Sequence, residues 1–138
     1  MKKFLFGACL TLFLSSYGWT LNVNTVSVDV LAKTIYSWNG ETLSAYPKGQ
    51  PEVTILRILI PPKTKLPLHQ HPVINAGVLL KGELTVVTND NKTLHLKAGD
   101  PIVEVMNTWH SGENEGNEIA EIIVFYAGVQ DKPITIKK

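Results

Sequence analysis

The chain has 138 residues, of which 13 are lysine or arginine and 12 are aspartate or glutamate. This length allows one hydrophobic core and argues against two domains with separate cores. The net charge is close to zero, and the sequence contains no block of basic residues. Both features argue against a nucleic-acid partner.

The first predicted element is a signal peptide over residues 1–18. Lys2 and Lys3 precede an apolar run over residues 4–14, and small residues follow it, which is the layout of a secretory signal. The run is shorter than the roughly 20 residues that a membrane-spanning helix needs. We therefore expect cleavage near Gly18, a periplasmic or secreted bacterial protein, and no membrane association after cleavage.

Cysteine usage limits the chemistry of the mature chain. Cys9 is the only cysteine, and it lies inside the predicted signal peptide. Cleavage would therefore leave no disulfide, no thiolate ligand and no cysteine nucleophile. Any site in the mature protein must use nitrogen and oxygen atoms.

Residues 19–52 are predicted to form an N-terminal arm ahead of the main domain. Residues 28–36 fit either one short helix or a strand, and residues 37–49 have a turn-rich composition. The sequence assigns no role to this arm.

Residues 53–138 are predicted to form one all-β domain. Short apolar, β-branched runs are separated by turn residues at roughly 8–12-residue spacing, as in a sandwich or barrel. Residues 53–60 are apolar on both alternating faces except at Thr54 and Arg57, which predicts a strand covered on both sides. Residues 111–117 are predicted to be a polar loop. The predicted strands are residues 53–60, 76–80, 83–87, 93–97, 102–105 and 118–127.

Three of the four histidines are candidate metal ligands. Residues two apart in a strand share a face, so His69 and His71 can direct two imidazoles at one point; the alternative is two histidines on an exposed face. His110 follows an apolar run and Trp109, at a strand end that can face a cavity; the alternative is a loop histidine stacked on the tryptophan. The alternation around His95 predicts that it faces solvent.

The histidines lie in two stretches that resemble the motifs of the cupin family. Residues 63–82 resemble the first motif, G-x5-H-x-H-x3,4-E-x6-G, and residues 99–114, GDPIVEVMNTWHSGEN, resemble the second, G-x5-P-x-G-x2-H-x3-N. The resemblance covers roughly residues 53–127. It implies a small single-domain β-barrel, a jelly-roll-like double-stranded β-helix. The matching positions are His69, His71 and Gly82 in the first motif and Gly99, His110 and Asn114 in the second.

The resemblance also implies a metal held inside the barrel by two motif-one histidines, a motif-one glutamate and the motif-two histidine. His69, His71 and His110 stand at three of these positions, and Asn75 stands where the glutamate would be. An amide oxygen is a neutral and weaker ligand than a carboxylate. Three imidazoles would leave a divalent site at +2, which favours an anion as the next ligand. The other departures, which affect turns, are Lys63, Val105 and Asn107.

Three interpretations of Asn75 stay open. It is a weak ligand or hydrogen-bond donor beside a three-histidine site, or a carboxylate elsewhere replaces the glutamate, or the site has lost its metal. The candidate carboxylate is Glu104, which shares a face with Ile102. If it points inward it must meet a cation, because a buried unpaired carboxylate is costly. Glu104 and Trp109 are therefore predicted to line the ligand pocket.

Two functional hypotheses follow from this donor set, which suits zinc, iron, nickel or copper better than magnesium or calcium. The first is an exported metal-dependent oxidoreductase or isomerase that acts on a small anionic molecule. The second is a non-catalytic protein that holds a small molecule or a metal. A third hypothesis is an interaction module without metal, and the family resemblance also implies a homodimer. The sequence identifies no catalytic base or nucleophile.

Overall fold

Ten β-strands form between residues 51 and 137 in a computed structural model that describes residues 25–138. These residues contain no helix, and so none that is long and apolar enough to cross a bilayer. The predicted signal peptide over residues 1–18, with Cys9, lies outside the described residues. The strands are β1 (Pro51–Ile60), β2 (Thr64–Lys65), β3 (His69–Gln70), β4 (Ile74–Lys81), β5 (Glu83–Thr88), β6 (Thr93–Lys97), β7 (Pro101–Val103), β8 (His110–Asn114), β9 (Ala120–Val129) and β10 (Ile136–Lys137).

The strands pair antiparallel in two sheets. One sheet has the order β1-β9-β4-β7, and the other has the order β10-β3-β8-β5-β6, with β2 also paired to β8. The longest pairing joins β1 to β9 over ten residue pairs, from Pro51 opposite Val129 to Ile60 opposite Ala120. The predicted all-β, jelly-roll-like barrel is confirmed.

The core lies between the two sheets because successive side chains of each strand point to opposite faces. In β9, Ile122, Val124 and Tyr126 are buried on one face, and β5 contributes Leu84 and Val86 from the other sheet. Burial of each such aliphatic side chain contributes about 1.5–3 kcal/mol. The two inner faces therefore form the walls of the interior that holds the histidines.

Strand β1 corrects one prediction from the sequence. Val53, Ile55 and Leu59 are 71%, 58% and 54% exposed, whereas the alternate side chains of the strand are more buried. The prediction of a strand covered on both sides is wrong for the chain alone, because no described element covers the outer face of this sheet, where Phe125 of β9 is also exposed. Its outer face remains apolar and exposed.

Strand β8 corrects a second prediction, the polar loop at residues 111–117. Residues 110–114 form a strand between β3 and β5, and Gly112 lies opposite Val86 in the pairing with β5. The sequence HSGEN has a weak intrinsic preference for strand, but pairing with its neighbours overrides that preference. Only the end of the predicted loop is a turn. This strand matters because it carries His110.

Asn114 ties the end of β8 to two neighbouring segments. The side chain is fully buried, and its Nδ2 lies 2.9 Å from the carbonyl oxygen of Ile60, 3.1 Å from that of Pro61 and 2.7 Å from that of Glu118. Its Oδ1 accepts a hydrogen bond from the backbone nitrogen of Gly116 at 3.0 Å. One amide therefore satisfies several backbone groups that have been removed from water.

Replacement of Asn114 by alanine is expected to lower the free energy of unfolding by about 2–4 kcal/mol, because it leaves buried carbonyl oxygens without a donor. Urea unfolding of the two proteins measures the difference. Asn117→Ala, at an exposed position three residues away, is the control and should change the value by less than about 0.5 kcal/mol. Equal losses in the two variants would contradict the role of Asn114.

The described part of the N-terminal arm, residues 25–50, has little regular structure. Residues 28–36 form neither the helix nor the strand that the sequence suggested, and Tyr36 makes a single bridge with Thr42. Within the turn between them, the backbone nitrogen of Trp38 donates to the carbonyl oxygen of Val103 at 2.9 Å. The arm is therefore fastened to the end of β7.

Candidate metal centre

Three histidines converge inside the barrel. Two lie in the adjacent strands β3 and β8, and the third directly follows β3. His69 in β3 lies directly opposite His110 in β8, and His71 follows β3 on the same side as His69. Each offers a ring nitrogen, and these nitrogens lie within 4.8 Å of one another. His71 and His110 are buried, and His69 is partly buried. The H-x-H spacing and the motif-two histidine thus meet at one point.

The other ring nitrogen of each histidine fixes the tautomer. In all three residues Nδ1 lies within hydrogen-bond distance of a backbone carbonyl oxygen, which can only accept. Nδ1 must therefore carry the hydrogen, and the lone pair is left on Nε2, as in metal sites whose ligands are oriented by an outer partner. The pairs are His69 with Pro67 at 2.7 Å, His71 with Ile134 at 2.9 Å and His110 with Thr108 at 2.8 Å.

The protonation state of the cluster suits a metal. Burial, with smaller contributions from the neighbouring His110 and His69, lowers the pKa of His71 to about 4. Burial also lowers the pKa of His69. Nε2 of His110 is buried and has no hydrogen-bond partner among the described residues. Neutral imidazoles with free Nε2 lone pairs are what a divalent transition metal requires, so the three residues fit such an ion.

Asn75 lies in β4 on the cavity wall, with only 3% of its surface exposed. Its Nδ2 is buried without a hydrogen-bond partner in the described part of the chain. The carbonyl oxygen of Asn75 accepts a hydrogen bond from the backbone nitrogen of Glu104 at 3.0 Å. Asn75 and Glu104 are thus neighbours on adjacent segments, and a carboxyl group lies beside the position where the family pattern has its glutamate.

Glu104 points inward, as one of the three interpretations of Asn75 requires, and is 8% exposed. Its Oε1 accepts hydrogen bonds from the indole Nε1 of Trp38 at 2.8 Å and from the backbone nitrogen of Val105 at 3.0 Å. Its Oε2 lies 3.9 Å from Nε2 of His110. The carboxyl group therefore flanks the histidine cluster without belonging to the group of three nitrogens.

The structure does not bring Trp109 to the cavity. Trp109 is half-buried and is not among the cavity-lining residues, whereas the next residue, His110, is among them. Neighbouring residues of an extended chain point to opposite sides, so both cannot face inward. His95 is exposed, as predicted, and its Nδ1 lies 3.0 Å from Oγ1 of Thr85 on the partner strand.

The cavity beside the histidines is small and largely apolar. Its volume is about 70 Å³, room for about five water molecules. No lysine or arginine lines it among the residues that the structure describes. The apolar part of the lining is Ile58, Ile60, Leu66, Leu84, Val86, Ile102, Ile122 and Val124, and the polar part is His69, His71, His110, Asn75, Glu104 and Tyr126.

Tyr126 is a site residue that the sequence analysis did not single out. It lies opposite Asn75 in the pairing of β9 with β4, and its ring centroid is 5.4 Å from that of His71. Burial raises the pKa of its phenol above the usual value, and Glu104 raises it further. The signal was present, because Tyr126 shares the inward face of its strand with Ile122 and Val124.

The fold and the site define a small antiparallel β-barrel with three inward histidines that could hold a metal ion. A family model, the cupin domain, matches residues 56–126, which is half of the chain. The chain belongs to the cupin family. No curated protein sequence matches it.

Solved structures with the same fold share little sequence with this chain. A cupin-like protein from Thermotoga maritima MSB8 is 17% identical over 62% of this chain and 64% of its own, with a TM-score of 0.57. The DMSP lyase DddQ from Ruegeria pomeroyi DSS-3 is 16% identical over 72% of this chain and 47% of its own, with a TM-score of 0.55. Bacillus subtilis oxalate decarboxylase, which has Mn(II) centres, is 21% identical over 62% of this chain and 23% of its own, with a TM-score of 0.53. The chain spans less than two thirds of each, and these likenesses support the fold.

Proposed function

We propose that this cupin binds one divalent transition metal through His69, His71 and His110 and takes a small molecule at the remaining coordination positions. The observation that supports it most directly is the set of three Nδ1–H bonds to backbone carbonyls, which leaves three Nε2 lone pairs close together. Three nitrogen ligands suit zinc, iron, nickel or copper. Bound there, such an ion would polarise a ligand oxygen, and the redox-active ions would add electron transfer.

The cavity supports a small ligand with one anionic oxygen donor and an apolar body. Three neutral imidazoles add no negative charge to the ion, and the carboxyl group of Glu104 lies outside the group of three ligands. The ion would therefore still attract an anion. Among residues 25–138, no lysine or arginine lines the cavity to bind a second anionic group, and most of the lining is aliphatic. Its volume of about 70 Å³ favours a small ligand.

Two polar side chains are placed to act on that ligand. Oε2 of Glu104 lies 3.9 Å from Nε2 of His110, at the edge of the cluster, where it can take a proton from a bound molecule. The amide of Asn75 has an unpaired donor and lies on the same wall. The carboxyl group of Glu104 can accept a proton, and the amide of Asn75 is neutral. Their position beside a metal supports the proposal of an oxidoreductase or isomerase.

The second candidate function is non-catalytic binding of a small molecule or a metal. The observation that favours it is Asn75, because an amide replaces the carboxylate that the family's metal site uses at this position. Such a barrel would store, sense or deliver its ligand outside the cytoplasm.

Turnover distinguishes the two candidates. The chain is loaded with Fe(II), Ni(II), Cu(II) or Zn(II) and mixed with small monocarboxylates and enolisable ketones, with and without oxygen. An enzyme is expected to form product in excess of the protein, whereas a binding protein is expected to bind one equivalent of a compound unchanged. The loaded Asn75→Glu variant is the control for the amide. If a chain that holds metal formed no product and bound no compound, the enzyme and the small-molecule binder would both be contradicted, and metal binding alone would remain.

We also propose that the mature protein is exported. Lys2 and Lys3 before an apolar run and small residues support this proposal. A periplasmic or secreted location would expose the site to the metals available outside the cytoplasm.

A homodimer is proposed as the assembled form. Val53, Ile55 and Leu59 on β1 and Phe125 on β9 expose apolar side chains on the outer face of one sheet. Contiguous exposed apolar surface is typical of protein interfaces, and β1 has an open edge that a second copy can cover.

A further inference from the structure

We infer that Trp38, in the N-terminal arm, is a positioning residue for the metal centre and acts on it through the carboxyl group of Glu104. The inference rests on the proposed metal site. It assigns a role to a segment that precedes the family match at residues 56–126.

The arm delivers Trp38 to the site through three hydrogen bonds to two consecutive residues. The backbone nitrogen of Trp38 donates to the carbonyl oxygen of Val103 at 2.9 Å. The hydroxyl of Ser37 donates to the carbonyl oxygen of Glu104 at 3.0 Å, and the indole Nε1 donates to Oε1 of Glu104 at 2.8 Å. Backbone and side chain of the arm are therefore both fixed against the segment that carries the carboxyl group.

The turn that presents the indole is itself closed. The backbone nitrogen of Ser37 donates to the carbonyl oxygen of Glu41 at 2.8 Å, and that of Gly40 donates to the carbonyl oxygen of Ser37 at 2.9 Å. Gly40 has a φ of 90°, in the region that favours glycine. The chain thus forms a tight loop with Trp38 inside it.

The indole helps to fix the orientation of the carboxyl group, so that one of its two equivalent oxygens faces the histidines. Oε1 of Glu104 receives two donors, the indole of Trp38 and the backbone nitrogen of Val105, so it is fully engaged. Oε2 is left on the side of His110, at 3.9 Å from Nε2. Partial rotation of the carboxyl group away from this orientation would break the indole bond and misdirect the hydrogen bond from Val105. Without the indole, only one donor would hold the carboxyl group in place.

Removal of the indole donor should therefore weaken the metal site from a distance. Outer partners of metal sites typically change affinity by 10–100-fold when they are mutated. Because Trp38 acts through one further residue, Trp38→Phe is expected to raise the Co(II) dissociation constant by about 10-fold. Stoichiometry should stay at one ion per chain, and the visible Co(II) spectrum should change because the surroundings of His110 change.

Phenylalanine retains a ring against the core, which Trp38 contacts, but it lacks the N–H donor and is smaller than the indole. The full chain is titrated with Co(II) as wild type, as Trp38→Phe, and as Trp109→Phe, a matched control that removes an indole away from the cavity. Trp109→Phe is expected to leave both dissociation constant and spectrum unchanged. Unchanged values in Trp38→Phe, in a wild type that binds one Co(II), would overturn the inference.

The route through Glu104 is tested by a double-mutant cycle. If Trp38 acts through the carboxyl group, Trp38→Phe should have no further effect on Co(II) affinity in a Glu104→Gln background. A full tenfold loss in that background would show that Trp38 acts in another way and would overturn this route. If the wild type binds no Co(II), the proposed metal site fails, which is a separate outcome.

A measurement on the wild type covers the case in which Trp38→Phe does not fold. The indole N–H resonance of Trp38 in a nitrogen-15 spectrum should shift on addition of one equivalent of Zn(II), while the Trp109 resonance should not. An unmoved Trp38 resonance at saturating Zn(II) would overturn the coupling between the arm and the site.

Discussion

Replacement of His69 and His110 together by alanine is expected to reduce bound metal from about one ion per chain to almost none. The two residues lie opposite each other on paired strands and supply two of the three Nε2 lone pairs. A single histidine, His71, would remain, and one imidazole does not hold a divalent ion against water. Elemental analysis of the protein recovered from the exported fraction measures the content, because loading in the cytoplasm can insert another ion.

The same pair of proteins gives a stability readout. Metal at a hundredfold excess over its dissociation constant should raise the free energy of unfolding of the wild type by about 2.7 kcal/mol, and chelation should remove this gain. The double variant should show no gain. His95→Ala is the control, because His95 is exposed on β6 and should keep the wild-type metal content. One bound ion per chain in the double variant would show that other residues are the ligands. No bound metal in the wild type would favour the interaction module.

Much of the fold could be predicted because the core strands carry their own alternating pattern. Residues 83–87 and 93–97 were predicted almost to their observed bounds, since inward apolar residues alternate there and turns flank them. Residues 110–114 could not be predicted as a strand, because β8 is held by its neighbours and not by its own composition. The exposure of the apolar outer face of β1 could not be predicted for a related reason. The alternation of side chains does not show whether another element packs against that face.

The candidate site, like the fold, could be predicted only in part from the sequence. The spacing of His69 and His71 and the resemblance that includes His110 placed three residues at one point, and the structure brings them together. The inward direction of Glu104 depended on register, which the pattern left open. Trp38 could not be found, because it meets Glu104 across 66 residues of sequence and no motif joins the two.

Acidification is expected to destabilise the metal-free protein between pH 6.5 and about 4. His71 titrates at about 6.5 in an unfolded chain, whereas burial lowers its pKa to about 4 in the folded chain. Between these values the unfolded chain binds more protons, so the free energy of unfolding falls as the pH falls. The full shift corresponds to a loss on the order of 3 kcal/mol, reached near pH 4.

Urea unfolding of chelator-treated protein at pH 7, 6, 5 and 4.5 measures this loss. A His71→Gln variant should start from a different stability at pH 7 but should lose much less of it on acidification, because glutamine does not titrate. His95→Gln, which changes an exposed histidine, should keep the wild-type slope. Some slope should remain in His71→Gln, because burial also lowers the pKa of His69, but a full wild-type slope would assign the acid sensitivity to other groups. The same burial that makes the unloaded site costly to protonate also keeps His71 neutral and available to a metal at pH 7, so acid sensitivity and readiness to bind metal have one physical cause.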